Sequence, residues 1–165
     1  GSEMCIRDSD YRRAYSITEL MAQTEELIAE GKMTKEAAEC IYFKSILAFA
    51  KSPVGMRMRN AFLNETLKRE QPFVMKVGRK ELDASWSGDE TVLVQGIIDA
   101  YFIEGEEIVL VDYKTDRIGQ GEESKLIERY RTQLEDYALA LERMLHKKVK
   151  QKYIYSFALQ KAIEI

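Results

Sequence analysis

Three side chains near the middle of the chain have the types and spacing to do chemistry together: Asp99, Asp112 and Lys114. They lie on two apolar runs, residues 91–103 and 108–115, joined through Glu104-Gly105-Glu106-Glu107. Gly105-Glu106, with glycine first, suits a two-residue type II′ turn. Such a turn sets Glu104 across from Glu107. The same register carried down the hairpin brings Asp99 opposite Asp112, with β-carbons roughly 4.5–5.5 Å apart. A four-residue loop over 104–107 keeps that register. Lys114 follows Asp112 by two positions and projects from the same face of the sheet.

Two carboxylates facing each other among apolar residues repel, and each loses hydration, at several kcal/mol for an unpaired buried charge. Lys114 offsets one charge. A hard divalent cation offsets both, because Mg²⁺ takes carboxylate oxygens and keeps several waters. Mg²⁺ held this way, or Mn²⁺ in its place, polarises a phosphoryl oxygen and activates a water, while Lys114 orients that water or stabilises charge on the phosphate. These residues therefore point to phosphodiester hydrolysis. The alternative is a purely structural ion pair, Asp112–Lys114 or Asp99–Lys114.

Further candidates flank this hairpin. Glu70, in Arg69-Glu70-Gln71-Pro72-Phe73, precedes a predicted strand and is either another metal ligand or base, or an exposed strand-edge acid. Tyr130, Gln133 and Tyr137 share one face of a predicted helix. They either line a cleft or mark a half-buried helix boundary. The net charge is −3, yet residues 57–80 hold seven basic and two acidic side chains, and residues 143–161 hold six basic and none acidic. Two basic stretches on an acidic chain fit a polyanion site or two solvated faces. Lys147, Lys148, Lys150 and Lys152 are the best candidates for phosphate contacts, set against a solvated strand edge.

The elements that must position these residues are those of one α/β domain. With 165 residues, 45% hydrophobic and 32% charged, the chain is long enough to bury a core and is neither disordered nor membrane-embedded. No apolar run approaches the roughly 20 residues of a spanning helix. Two cysteines, Cys5 and Cys40, and one histidine, His146, exclude a four-cysteine metal site and a histidine-rich centre. Residues 1–9 are set aside as a non-native segment, leaving 10–165 as the domain. Apolar spacing predicts helices over 16–30, from Thr34 to about 50, and over 53–63. Ser16 with Glu19 has capping-box spacing and Gly31 is a stop. A strand follows over 65–82, then a polar turn over 83–90. The two runs of the hairpin are apolar on both faces and so are predicted as central strands covered on each side. A glycine-containing loop at 117–121, a helix over 123–145 and a strand over 149–158 complete an αβββαβ order behind an N-terminal helical region.

Taken together, Val94-Gln95-Gly96-Ile97-Ile98-Asp99, Val111-Asp112-Tyr113-Lys114-Thr115-Asp116 and Tyr130-x-x-Gln133-Leu134-x-x-Tyr137 resemble the RecB-like branch of the PD-(D/E)XK nucleases. Arg69-Glu70-Gln71-Pro72-Phe73 and Lys152-Tyr153-Ile154-Tyr155-Ser156-Phe157 are similar to the AddA family within it, and the likeness runs over about 16–165. The resemblance implies a restriction-endonuclease-like core, a central mixed β-sheet flanked by helices. It implies Mg²⁺-dependent exonuclease cleavage of single-stranded DNA during double-strand-break repair in the bacterial cytoplasm. Glu70, Asp99 and Asp112 are the implied acidic and metal-binding residues, with the backbone carbonyl of Tyr113 in the metal shell and Lys114 as catalytic lysine. Gln133, Tyr137 and Tyr130 are accessory, and Arg69 joins the DNA contacts. The implied partners are a helicase motor and an AddB-like subunit, with no membrane. The family's early Gly-Thr-x-x-His motif and a phosphate-binding Gly-Lys-Ser/Thr loop are not in this sequence. The chain is therefore expected to be a nuclease domain excised after that histidine. The rival expectation is a DNA-holding or partner-docking module.

Overall fold

Ser16 opens the first helix. Its Oγ accepts the Glu19 amide and donates to the Glu19 carboxylate, each at 3.1 Å, and so satisfies an amide that has no partner within the helix. Gly31 closes it with φ of +71°, a conformation that glycine adopts without steric cost. The computed structural model describes residues 10, 16–39 and 43–165. The helices are α1 (Ile17–Ala29), α2 (Lys35–Glu39), α3 (Phe43–Lys51) and α4 (Pro53–Leu63). The stripe expected from Thr34 to Ala50 is carried by α2 and α3. Cys5, Cys40, Ile41, Tyr42 and the segment 1–9 lie outside the described residues. Ser52 caps α4 and Pro53 occupies its first turn, where a missing amide hydrogen costs nothing.

The remaining elements are β1 (Leu67–Gly78), α5 (Arg79–Leu82), β2 (Thr91–Glu104), β3 (Glu107–Lys114), α6 (Glu123–Leu145), β4 (Val149–Ser156) and β5 (Lys161–Glu164). The strand expected over 65–82 ends at Gly78. The Glu81 carboxylate accepts the Gly78 amide at 3.1 Å and winds 79–82 into a helical turn. The strand expected over 149–158 ends at Ser156, whose hydroxyl accepts the Leu159 amide at 3.2 Å and turns the chain back. The result is a fifth strand absent from the expected order. Four residues are too few for alternation to reveal.

The strands lie in the order β1-β2-β3-β4-β5. All neighbours are antiparallel except β3 and β4, which are parallel and joined by the crossover helix α6. This is the expected mixed sheet between helices. On one face Leu20, Phe49 and Met58 of the N-terminal helices pack on Phe102, Val111 and Tyr155. On the other, Leu134 and Leu141 of α6 pack on Ile98, Leu110 and Ile154. Burying each such side chain contributes about 1.5–3 kcal/mol. Among the described residues no helix is long and apolar enough to cross a membrane.

The sheet forks, and the fork positions the candidate site. β2 pairs with β3 from Glu104↔Glu107 to Ala100↔Val111, and the ladder stops there. Beyond it, β2 continues paired only with β1 down to Thr91, while Asp112, Tyr113 and Lys114 pair only with β4. The expectation of cover on both sides holds for β3, buried from Ile108 to Tyr113. It fails for the first half of β2, where Leu93 and Ile97 are 65% and 59% exposed. The N-terminal helices cover the sheet only up to the fork, so one face of the β1–β2 ribbon meets solvent.

Candidate active site

Gly105 takes φ of +62° and Glu106 needs no positive φ, as a type II′ turn requires. The predicted register therefore holds to Ala100↔Val111, one pair short of the aspartates. Asp99 is the first residue of β2 past the fork, and its Oδ2 accepts the Tyr113 amide at 2.9 Å. Asp112 sits beside it, 2% exposed. Burial first, and then the neighbouring Asp99 charge, push its carboxyl up from 3.8 to about 7. Lys114 opposes that shift, with Nζ 2.7 Å from Asp112 Oδ2. The same Nζ donates to Gln133 Oε1 at 2.9 Å and lies 4.1 Å from the centre of the Tyr130 ring. Despite the close ammonium, Asp112 Oδ2 receives no well-angled hydrogen bond.

The face of α6 completes the cluster. Tyr137 is buried, and its ring stands edge-on to Phe73 at 5.5 Å. Burial, followed by the charges of Asp112 and Asp99, raises its hydroxyl above the ordinary value. The fit depends on Gly96, a residue whose role the motif spacing leaves open. A β-carbon there would lie 3.1 Å from both the Phe73 and the Tyr137 rings. An isolated glycine in a strand is the signal for such a close approach. Gly96→Ala is expected to destabilise the fold by about 1 kcal/mol or more, overpacking outweighing the stiffer unfolded chain. A lowered urea midpoint with an unchanged slope is the check.

The structure thus brings Asp99, Asp112, Lys114, Tyr130, Gln133 and Tyr137 together. Glu70 is not gathered with them: among the described residues no three acidic, cysteine or histidine side chains form a group able to hold a metal. Glu70 lies in β1 between the pairs Arg69↔Ala100 and Gln71↔Ile98, level with Asp99, but is exposed and has φ of +51°. Alternation breaks at this level on both strands. Leu67 and Ala100 face the N-terminal helices, whereas Phe73 and Ile98 face α6, although even spacing would keep each pair on one side. A non-glycine residue in the left-handed region at this break in alternation is the kind of strain that accompanies functional sites. Arg69 stands on the other face, its guanidinium 5.5 Å from the Phe62 ring.

The basic stretch at the start of β4 lies away from the aspartates. Val149 pairs with Ile108 and Ile154 with Asp112, a separation of about 16 Å along the strand. Lys150 pairs with Glu104 at 3.0 Å, and Lys147 pairs with Glu106. Glu104 is also the anchor of Arg57, taking its Nε at 2.8 Å and its Nη2 at 2.9 Å. Those bonds, with Lys150, hold the Glu104 carboxyl down at about 2. Arg57 also reaches Gln151 at 2.7 Å, so this cluster ties α4 to the hairpin end and β4. Lys148 is exposed and Lys152 half-buried.

Comparisons with known proteins show the family. A family model described as the PD-(D/E)XK nuclease superfamily matches residues 11–163. The chain belongs to that superfamily. The similar proteins include the ATP-dependent helicase/nuclease A subunit of Clostridium novyi, 37% identical over 160 residues, which are 94% of this chain and 13% of that protein. The protein of the same name from Acetivibrio thermocellus is 40% identical over 148 residues, 87% of this chain and 12% of that one. The one from Syntrophomonas wolfei is 33% identical over 162 residues, 98% and 13% of the two chains. The chain thus spans about an eighth of the length of the curated relatives it matches. Asp99, Asp112 and Lys114 stand together at the fork of the sheet.

Proposed function

We propose that this chain is a Mg²⁺-dependent DNA exonuclease domain that hydrolyses phosphodiester bonds of single-stranded DNA. The strand would be delivered by a helicase motor in a repair complex of the bacterial cytoplasm with an AddB-like subunit. One observation carries the reading: a buried acid and a second acid meet where the sheet opens, and a lysine is clamped beside them. The donor set fits the metal. Asp99 and Asp112 supply hard oxygens, Asp112 Oδ2 lacks a well-angled hydrogen bond, and a second positive charge would relieve their repulsion. Asp99, Asp112 and the Tyr113 carbonyl would hold Mg²⁺ or Mn²⁺. When bound, the ion supplies Lewis-acid polarisation of a phosphoryl oxygen and makes a water more acidic. The chain's own residues do the rest. Lys114 Nζ places a fixed positive charge where a phosphate gains negative charge. Gln133 and Tyr130 keep that amine from turning into solvent. Tyr137 and Phe73 wall the site on the α6 side and exclude water. Glu70 enters this reading as an outer base or ligand, and Arg69, Lys147, Lys148, Lys150 and Lys152 as contacts to strand beyond the scissile bond.

A nuclease assay on labelled single strands tests this directly. Lys114→Ala is expected to lower kcat by about 10²–10³-fold, the usual loss when one fixed charge-stabilising donor is removed. Equal activity in the parent and the variant rejects the role. The rival reading, a DNA-holding or partner-docking module with a structural Asp–Lys pair, is favoured by the missing third ligand among the described residues. Calorimetry separates them. Mg²⁺ or Mn²⁺ binding that Asp112→Ala abolishes supports the nuclease, and no binding by the parent supports the module.

A further inference from the structure

Asp116 lies two residues beyond Lys114, where the chain leaves β3, with a side chain 16% exposed. Neither the metal nor the phosphate chemistry proposed for the site calls on it. Its Oδ1 and Oδ2 accept the Tyr130 hydroxyl at 2.9 and 3.1 Å, and Arg129 pairs with Oδ2. The Tyr130 ring in turn carries the Lys114 ammonium 4.1 Å from its centre. A surface pair with Arg129, whose side chain is 58% exposed, would by itself be worth little. The tyrosine bond is different, because it reaches inward. Tyr130 stands at the partly exposed end of the α6 face, and its hydroxyl lies against Arg129 as well as donating to Asp116.

A lysine stem has many rotamers, and its charge is useful at one place only if the stem is held. Lys114 is held from three sides, by Asp112, by Gln133 and by the Tyr130 ring. The first is an ion pair and the second a hydrogen bond, both made by Nζ itself. The ring is a platform whose position depends on where its hydroxyl is tied. We propose that Asp116 is a positioning residue: by holding the Tyr130 hydroxyl it fixes the ring on which the Lys114 ammonium rests, and so sets where that charge sits beside Asp112. The kinetic consequence rests on the nuclease reading. The positioning does not, because it belongs to the chain without metal or DNA.

The test is NMR of the metal-free protein with ¹³C-labelled lysine, the Lys114 ε-methylene signal being assigned through Lys114→Arg. In the parent that signal is expected upfield of free lysine, because it lies over an aromatic face. Asp116→Ala should move it toward free lysine. Tyr130→Phe, which keeps the ring and removes the tie, should move it the same way. Asp116→Asn keeps an acceptor oxygen and should restore it. An ε-methylene signal unmoved in both Asp116→Ala and Tyr130→Phe overturns the proposal, as does an Asn variant that behaves like Ala. In the nuclease assay Asp116→Ala should lower kcat about 10- to 100-fold at unchanged KM, as expected for a misplaced catalytic group. A parent that cleaves nothing sinks the nuclease reading alone, and the lysine signal still decides the role of Asp116.

Discussion

Asp112→Asn is expected to abolish metal-dependent cleavage and, in the same protein, to stabilise the metal-free fold at pH 8 by about 1–3 kcal/mol. The two effects have one origin. The carboxyl is 2% exposed and faces Asp99, so its ionised form is disfavoured and its pKa rises from 3.8 to about 7. Between those values the folded chain keeps a proton that the unfolded chain has released. This contribution to stability is therefore fully present below about pH 4 and is lost as the pH climbs to about 7. An asparagine carries no such charge, and its amide hydrogens face the Asp99 carboxylate. It also removes one carboxylate oxygen and one of the two negative charges a divalent ion would use. Urea unfolding in EDTA at pH 5 and pH 8 checks the first effect: the parent should lose stability between them and the variant should lose less. Adding Mg²⁺ at pH 8 should raise the parent's midpoint and leave the variant's unchanged, since only binding to the folded form stabilises it. A variant less stable than the parent at pH 8 would show that the Asp112–Lys114 attraction outweighs repulsion and lost hydration.

Gly55→Ala is expected to be the most destabilising single-methyl substitution in the helical region, by about 3 kcal/mol or more. A β-carbon at Gly55 would lie 2.0 Å from the Phe49 carbonyl oxygen and 2.9 Å from its carbon. No rotamer relieves that contact, because both partners are backbone. The oxygen is also pinned, accepting the Ser52 amide at 3.0 Å and the Ser52 hydroxyl at 2.6 Å. Ser52 Oγ accepts in turn from the Gly55 amide at 3.1 Å, so the turn between α3 and α4 is a closed set of bonds. The better helix propensity of alanine returns only about 1 kcal/mol. Damage would spread to the site's floor, since the Phe49 ring stands edge-on to Tyr155 at 4.8 Å and Tyr113 at 5.6 Å. Tyr113 donates its amide to Asp99. A urea midpoint equal to the parent's would mean that the two helices separate at little cost.

Much of this molecule is legible in its sequence because the deciding forces act between near neighbours. Ser16 and Ser52 cap helices through amides three residues away. Gly105 fixes a turn, and the turn fixes the register as far as Ala100↔Val111. The two-residue spacing of Asp112 and Lys114 placed both on one face, where they meet at 2.7 Å. The helical spacing of Tyr130, Gln133 and Tyr137 placed all three on the side of α6 that faces the aspartates. The spacing and residue types of these positions also carried the family resemblance that the comparisons bear out.

Other features were settled only when distant segments packed. Where the β2–β3 ladder ends is one, because a strand can pair on while alternation persists, and only the cover on each face decides where two strands part. The fork leaves Asp99 to take the Tyr113 amide rather than to face Asp112 as a regular pair. The break in alternation at Glu70 and Asp99 is another, for it depends on which layer each half of the ribbon meets. The basic run before β4 was visible as charge, but its ion pairs with Glu104 and Glu106 bridge more than forty positions along the chain. Side-chain type and short-range spacing thus determined which groups this protein can bring to a site. The packing of two helical layers on a splitting sheet decided which of them meet there, because burial and charge pairing act through space and are indifferent to distance along the chain.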